Sequence, residues 1–380
     1  MKLLPSSLIA ASFFTNGIGQ SSAFFQPKTW TQTSAHITST SRTSVSTRTR
    51  TSRGSDNHRR SSSHRMELLM SSSSFIYTGD NLLDSMSKAC TASLGRDIIL
   101  KPATGGGASG GGGASISAAV DESTGTKYFI KSSSSSGGGN KMLHAEYLGV
   151  KEMAETNTIK VPRPIAFGEH HGSGGRDIAF VVFQYLDFCG GGSGYELGQN
   201  LAKMHRCFNQ KYGFHVDNTI GATPQPNLPW KETWADFWDE HRLGHMLRLT
   251  HNAGLDNDTI EMLRAKTRDL LSHNPEPSLI HGDLWGGNKS FAKIDGKVVP
   301  VIFDPATYYG DREADIAMTY VFGGFGSDFY EGYESEWPLP EGHQKRRTVY
   351  NLYHILNHDV LFGGMYLRQA QGMIDQILKM

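Results

Sequence analysis

Hydrophobic positions change their spacing about halfway along the chain. From Asn81, the apolar positions Leu82, Leu83, Met86 and Ala89 recur at helical intervals and predict a short helix. Ile98–Leu100, Ile116–Val120 and Lys127–Lys131 then read as strands, the last two joined by a turn over Asp121–Thr126. A glycine tract, Gly105–Gly107 and Gly110–Gly113, precedes the second of them. Ser132–Gly139 is a small-residue loop, His144–Met153 a helix, and Ile165–Phe167 and Ile178–Leu186 are further strands. Beyond the glycines at 190–194 the period becomes helical: Leu197, Leu201 and Met204; Trp234, Phe237, Trp238 and His241; Ile260, Leu263 and Leu270; and Val349, Leu352, Tyr353 and Leu356 in the tail from Gln344. Ser278–His281 and Val298–Phe303 are short apolar runs between them. A small lobe of mostly antiparallel sheet, then a larger helical lobe, is an α+β bilobal layout. Residues 71–190 form the first lobe in this reading and residues 191–380 the second.

Residues 1–70 stand apart. Lys2 precedes the apolar run Leu3–Phe14, the form of a secretory signal, and Ala23-Phe24 follows. The tract 28–65 is rich in Ser, Thr and Arg, as transit peptides are. Together these resemble the bipartite plastid leader of algae with secondary plastids, so a plastid address is expected. The residues up to Arg65 carry about nine basic groups against the single acid Asp56, which leaves the body about 28 basic and 36 acidic residues, a net near −8. A mildly acidic body speaks against general nucleic-acid binding, which requires a basic surface. No run of about 20 apolar residues occurs, so no membrane-spanning helix is expected. The three cysteines, Cys90, Cys189 and Cys207, form no CxxC pair and are expected to be free thiols.

The richest segment is Ile280-His281-Gly282-Asp283-Leu284-Trp285-Gly286-Gly287-Asn288, followed sixteen residues later by Asp304-Pro305-Ala306. Phosphoryl transfer needs a carboxylate to orient and deprotonate the acceptor hydroxyl, and oxygen ligands to hold magnesium on the phosphates. A loop bearing Asp283 and, five residues on, Asn288, then a strand delivering Asp304, supplies both. The spacing is that of a protein-kinase catalytic loop with its later metal-binding Asp. Lys131 closes the third strand and Glu146 lies fifteen residues on, the arrangement of a phosphate-binding lysine held by a helix glutamate. The glycine tract could cover phosphates with backbone amides. No GxxxxGK[ST] sequence occurs, which removes the P-loop alternative. Phe183-Gln184-Tyr185-Leu186 falls at the change of lobe, where backbone could read an adenine edge.

Several further stretches make a family resemblance specific: Tyr212–His215, Asn218–Gly221, Pro224–Pro226, Phe237–Leu243, Asp304–Gly310, Phe322–Phe325 and Leu356–His358. With the His-Gly-Asp-Leu-Trp-Gly-Gly-Asn segment, they resemble the fructosamine (ketosamine) 3-kinases, the bacterial branch above all, over about Ile98 to Leu378. The resemblance implies a protein-kinase-like fold and ATP and Mg2+ as cofactors. It implies Asp283 as catalytic base, Asn288 and Asp304 as metal ligands, and Lys131, Glu146, Gln184, Leu186, Gly113 and Ser115 at the nucleotide. The implied substrates are glycated proteins or small ketosamines, phosphorylated at the sugar O3; the sequence does not choose between fructosamine and the smaller ribulosamine or erythrulosamine, the latter two being the preference that bacterial-type members resemble. His215, Trp285 and Arg242 are candidates for touching the sugar, and Asp315 for bracing the catalytic loop. Ser115 stands where some members carry a cysteine, so a thiol switch there is not expected. Pro305 is expected to bias Asp304 toward extended backbone. Aminoglycoside and choline kinases share the Asp-x4-Asn core without the other stretches, so an aminoglycoside or another small alcohol is the alternative acceptor.

Overall fold

The computed structural model describes residues 76–77, 81–103, 108–109, 113–172 and 177–380. The leader reading and most of the glycine tract fall outside them.

The first lobe is a twisted sheet with a helix on each face. Its strands are β1 (Ile76–Tyr77), β2 (Leu100–Pro102), β3 (Ala108–Ser109), β4 (Ser115–Asp121), β5 (Lys127–Ser134), β6 (Pro164–His171) and β7 (Asp177–Gln184). They run in the order β1-β6-β7-β5-β4-β2, with β3 also on β4. Pairing is antiparallel except for β1 on β6. Alternation on β7 explains the two-sided packing. Phe180 and Val182 join Met86, Ala89 and Cys90 of α1 (Leu82–Leu94) on one face, whereas Ala179, Val181 and Phe183 join Leu143, Val150 and Met153 of α2 (Gly139–Glu155) on the other. Helix α1 begins at Asn81, whose side chain accepts from the Asp84 N–H, and ends at Gly95 in the left-handed region with φ 67°. The expected loop before α2 is shorter than the sequence suggests, because β5 continues to Ser134.

After β8 (Phe188–Cys189) the chain becomes mainly helical: α3 (Gly194–His205), α4 (Trp234–Phe237), α5 (Gly244–Leu249), α6 (Asn257–Leu270), α7 (Arg312–Thr319), α8 (Ser327–Glu336), α9 (His343–Phe362) and α10 (Met365–Leu378). Between α4 and α5 a π-helical turn, Trp238–Leu243, widens the helix. Short strands carry the functional loops: the hairpin β9 (Asn218–Ile220) and β10 (Thr223–Gln225), the pair β11 (Ser278–Ile280) and β14 (Tyr308–Gly310), and the pair β12 (Lys289–Ile294) and β13 (Lys297–Ile302). Strand β8 pairs with β12, so the segment just after β7 is stitched to the catalytic half. A buried bidentate ion pair, Arg346 to Glu313 at 2.7 and 2.8 Å, fastens α9 to α7. No described helix is long and apolar enough to cross a membrane.

Candidate active site

Backbone pairing assembles the site. Strand β11 ends at Ile280 and β12 begins at Lys289, so the residues from His281 to Asn288 form the loop between them. Strand β13 ends at Ile302 and delivers Asp304 beside that loop. The loop is tied at both ends. The Asn288 side-chain Nδ2 donates to the Asp283 carbonyl at 2.9 Å, to the Asp283 carboxylate at 3.3 Å and to the Asp304 carbonyl at 3.2 Å. The buried His281 donates from Nε2 to the Phe303 carbonyl at 2.9 Å, while its Nδ1 accepts from the Asp283 N–H at 3.3 Å. That pairing requires the neutral Nε2–H tautomer, and burial does hold the His281 pKa below its ordinary value.

Beneath the loop lies a carboxylate braced from three sides. Asp315 of α7 accepts from the His281 N–H at 2.7 Å, the Gly282 N–H at 2.8 Å and His205 Nε2 at 3.1 Å. His205 comes from α3 and accepts at Nδ1 from the Tyr333 hydroxyl, 2.8 Å away; Arg312 in turn donates to that hydroxyl at 3.2 Å. Burial works to raise the Asp315 pKa, but these hydrogen bonds and the His205 and His281 rings hold it below the carboxylate range. The expected bracing role of Asp315 is thus realised in geometry. His205 gave no sequence signal, because its position on an apolar helix reads as core.

In the first lobe, Lys131 Nζ donates to Glu146 at 2.6 Å and to Asp304 at 2.7 Å. Burial alone would lower the Lys131 pKa; the two carboxylates outweigh it and keep the amine charged. Burial raises the Glu146 pKa despite Lys131, so this glutamate depends on the lysine for its charge. The Asp283 carboxyl is pushed up to about 7, first by burial and then by the charge of Asp304. A poised carboxyl is what acid–base work near neutral pH requires.

Two clefts share Glu146 and Asp304. One, of about 520 Å³, is walled by Phe129, Val150, Pro162, Phe183, Phe188 and Phe303, with Gln184 and Leu186 at the lobe change. Its apolar walls and backbone edge suit a flat heteroaromatic base. The other, of about 640 Å³, holds Lys131, Asp283, Asn288 and Asp304 together with Ala114, Asn218, Thr219 and Gly221. The second cleft thus continues from Glu146 and Asp304, which it shares with the first, to Lys131 and Asp283. Gly113 has a φ of 86° and Ser115 opens β4 beside Ser132, yet from this segment it is Ala114 that lines the second cleft. Asn288 Oδ1 is buried and has no hydrogen-bond partner, although its amide is fixed by three donated bonds. An orphaned amide oxygen on a residue that lines the same cleft as Asp304 fits a hard divalent cation such as Mg2+.

Three further candidates line neither cleft. Arg242 is fully buried: it donates to the Pro226 carbonyl at 2.6 Å and the Asn227 side chain at 2.8 Å, and its guanidinium stacks 3.9 Å from the centre of the Tyr308 ring. The π-helical turn aims it into the core. Trp285 is 9% exposed, folds over Gly287 and meets Phe322 edge-on, and it lines neither cleft. His215 also lines neither; it stands 4.0 Å from Glu152 with its ring edge-on to Trp230. Asp304 is not extended but left-handed, with φ 56°, despite the following proline. The Asn288 bond to its carbonyl and the Lys131 bond to its carboxylate outweigh the local preference.

A strand-rich lobe with a lysine–glutamate pair, a cleft, and an Asp/Asn/Asp constellation on the helical lobe defines a phosphotransferase of protein-kinase-like architecture. A solved structure described as a putative fructosamine-3-kinase from Haemophilus somnus superposes with TM-score 0.65 at 30% identity, covering 77% of this chain and 96% of that one. The profile of the fructosamine kinase family matches residues 97–380, and the chain belongs to that family. A probable ketoamine kinase of Synechocystis is 48% identical over 243 residues, 63% of this chain and 79% of the relative. The chloroplastic protein-ribulosamine 3-kinase of Arabidopsis thaliana is 41% identical over 246 residues, 63% of this chain and 73% of that protein. The chain is accordingly an enzyme of the ketosamine kinase type.

Proposed function

We propose that this enzyme transfers the γ-phosphoryl group of ATP to the sugar O3 of ketosamines carried on protein lysines or free amines. Ribulosamine or erythrulosamine would be preferred over fructosamine, and the phosphorylated adduct would eliminate to free the amine, a deglycation step. The observation that carries the reading is the shared cleft in which the Asp283 carboxyl stands beside the Lys131–Glu146–Asp304 cluster. Asp283 takes the proton of the attacking hydroxyl. Lys131, oriented by Glu146, holds phosphate oxygens, and Gln184 and Leu186 place the adenine. Asn288 and Asp304 would hold Mg2+, which when bound neutralises phosphate charge. The naming of the Arabidopsis relative as a ribulosamine kinase supports the shorter sugar, and its chloroplastic label, with the leader pattern, supports a plastid location.

The test is ATP consumption by the body from about residue 71, screened against erythrulosamine, ribulosamine and fructosamine adducts of lysine and against aminoglycosides. Highest kcat/KM on the four- or five-carbon ketosamines is expected. Turnover of aminoglycosides with none of any ketosamine would overturn the assignment.

A further inference from the structure

The hairpin β9–β10 forms one wall of the catalytic cleft, yet nothing in the phosphoryl-transfer chemistry above uses it. Asn218, Thr219 and Gly221 all line the cleft that contains Asp283. The hairpin turns at Gly221, in the left-handed region with φ 60°, and pairs Asn218 with Gln225 and Thr219 with Pro224.

It is bolted down by an unusually dense set of polar bonds. Asn218 Nδ2 donates to the Thr307 carbonyl at 2.9 Å, and Gln225 Nε2 donates to the Ala306 carbonyl at 3.0 Å. Both carbonyls lie just after the Asp304-Pro305 step. Asn218 Oδ1 accepts from Gln225 at 2.8 Å and from Asn227 at 2.9 Å. Asn227 Oδ1 accepts from Arg242 at 2.8 Å, and Gln225 Oε1 accepts from the Tyr353 hydroxyl at 2.6 Å. Gln225, Asn227 and Arg242 are fully buried. Such a network holds the wall at a fixed distance from the metal-binding segment, the kind of support a precise subsite requires.

The polar side chains of that wall differ in one respect. Those of Asn218 and Gln225 are consumed by the network. Thr219 is only partly buried, lines the cleft, and makes no side-chain hydrogen bond among the described residues. The phosphates approach from the base-binding cleft through Lys131 and Asp304. The acceptor must therefore lie on the Asp283 side, in the space this wall bounds.

We infer that Thr219 is a specificity-determining residue whose hydroxyl binds the sugar hydroxyl next to the acceptor oxygen, on C4 of the ketosamine, and that the buried chain from Arg242 through Asn227 to Asn218 holds it there. The inference rests on the ketosamine reading above. A hydroxyl matched to a hydroxyl orients the vicinal pair so that the neighbouring oxygen faces Asp283. It also disfavours acceptors that leave Thr219 unpaired.

The test uses the wild type, Thr219→Val and Thr219→Ser, with Nα-protected ribulosyl-lysine and its 4-deoxy analogue as acceptors. Valine keeps the shape and removes the hydroxyl; serine keeps the hydroxyl. On ribulosyl-lysine, Thr219→Val should lose about tenfold in kcat/KM for the acceptor. The KM for ATP and the melting temperature should stay unchanged. Thr219→Ser should recover most of the loss. On the 4-deoxy acceptor, Thr219→Val should lose nothing relative to wild type, so that the double-mutant cycle isolates the pairing. A Thr219→Val enzyme within twofold of wild type on ribulosyl-lysine, an equal loss on both acceptors, or a parallel rise in the KM for ATP would each overturn the inference. A wild type inactive on every ketosamine would instead overturn the functional reading, and this inference with it.

Discussion

Replacing Asp315 by Asn tests whether the catalytic loop is held by charge or only by shape. Three donors converge on this carboxylate: the His281 and Gly282 N–H groups and His205 Nε2, at 2.7, 2.8 and 3.1 Å. An asparagine has one acceptor oxygen and turns its NH2 toward at least one of those donors. One hydrogen bond is lost, one buried donor is left unsatisfied, and the remaining bonds lose their charge assistance. An unsatisfied buried group costs about 1–3 kcal/mol, and more where a charged partner is lost. A total of about 1–3 kcal/mol is therefore expected against a typical domain stability of about 5–15 kcal/mol. The two N–H groups belong to the residues immediately before Asp283, so the loss should also displace the base. A misplacement on the order of 1 Å costs about 10²-fold in rate.

The pH dependence carries the same signature. The Asp315 carboxyl is held below its ordinary range, so its contribution is complete above the unfolded value of about 3.9 and is lost as pH falls below it. Wild-type stability should drop steeply on acidification in that range, and Asp315→Asn should drop less. Urea unfolding between about pH 3 and 7, with kcat measured at neutral pH, reads both effects. A variant within threefold of wild-type kcat and with an unchanged urea midpoint would refute the bracing argument.

Asp283→Asn should lower kcat by about 10²–10⁴-fold while leaving ATP affinity nearly intact; more than about a tenth of wild-type kcat would remove its role as base. Tyr309 donates to Glu152 at 2.7 Å and so ties α2, the helix that carries Glu146, to the strand after the metal site. Tyr309→Phe should raise the KM for ATP severalfold with the acceptor KM unmoved, and steady-state kinetics in both substrates would show whether the split occurs. Gly149→Ala should do more damage, because a Cβ there would lie 2.8 Å from Thr307 Oγ1. With so short a path from Asp304 to α7, the enzyme should need no activating phosphorylation: phosphatase treatment should leave its rate unchanged, and a large loss restored by rephosphorylation would contradict this. A fluorescent fusion of residues 1–70 should enter the plastid of a complex-plastid alga and be stranded outside the stroma when Phe24 and Phe25 become Ala; cytosolic fluorescence from the unmodified fusion would count against the leader.

Much of this protein is written locally. Strand alternation and helical spacing mark β4 to β7, α2, α3, α6 and α9 because each buries one face of a regular element. The Asp283, Asn288 and Asp304 spacing is legible because a catalytic loop between two strands fixes its own geometry. The Lys131–Glu146 pair is legible for a similar reason, a strand followed by a helix that packs on it. What the sequence could not decide is which polar or aromatic side chains near those motifs face the cleft and which face the core. Arg242 and Trp285 have the chemistry of sugar ligands, but burial is a property of packing between distant elements. The π-helical turn sends Arg242 inward, and Gly287 lets Trp285 fold back over the loop. His205 and Thr219, by contrast, carry no local signal of their place. His205 and Asp315 lie 110 residues apart, and they meet only because α3 and α7 pack beneath β11. Thr219 gains its place from a hairpin whose anchors, Arg242, the adjacent Ala306 and Thr307, and Tyr353, come from three separate parts of the chain. Local periodicity cannot encode such meetings, since they depend on how elements dock once their apolar faces have been buried.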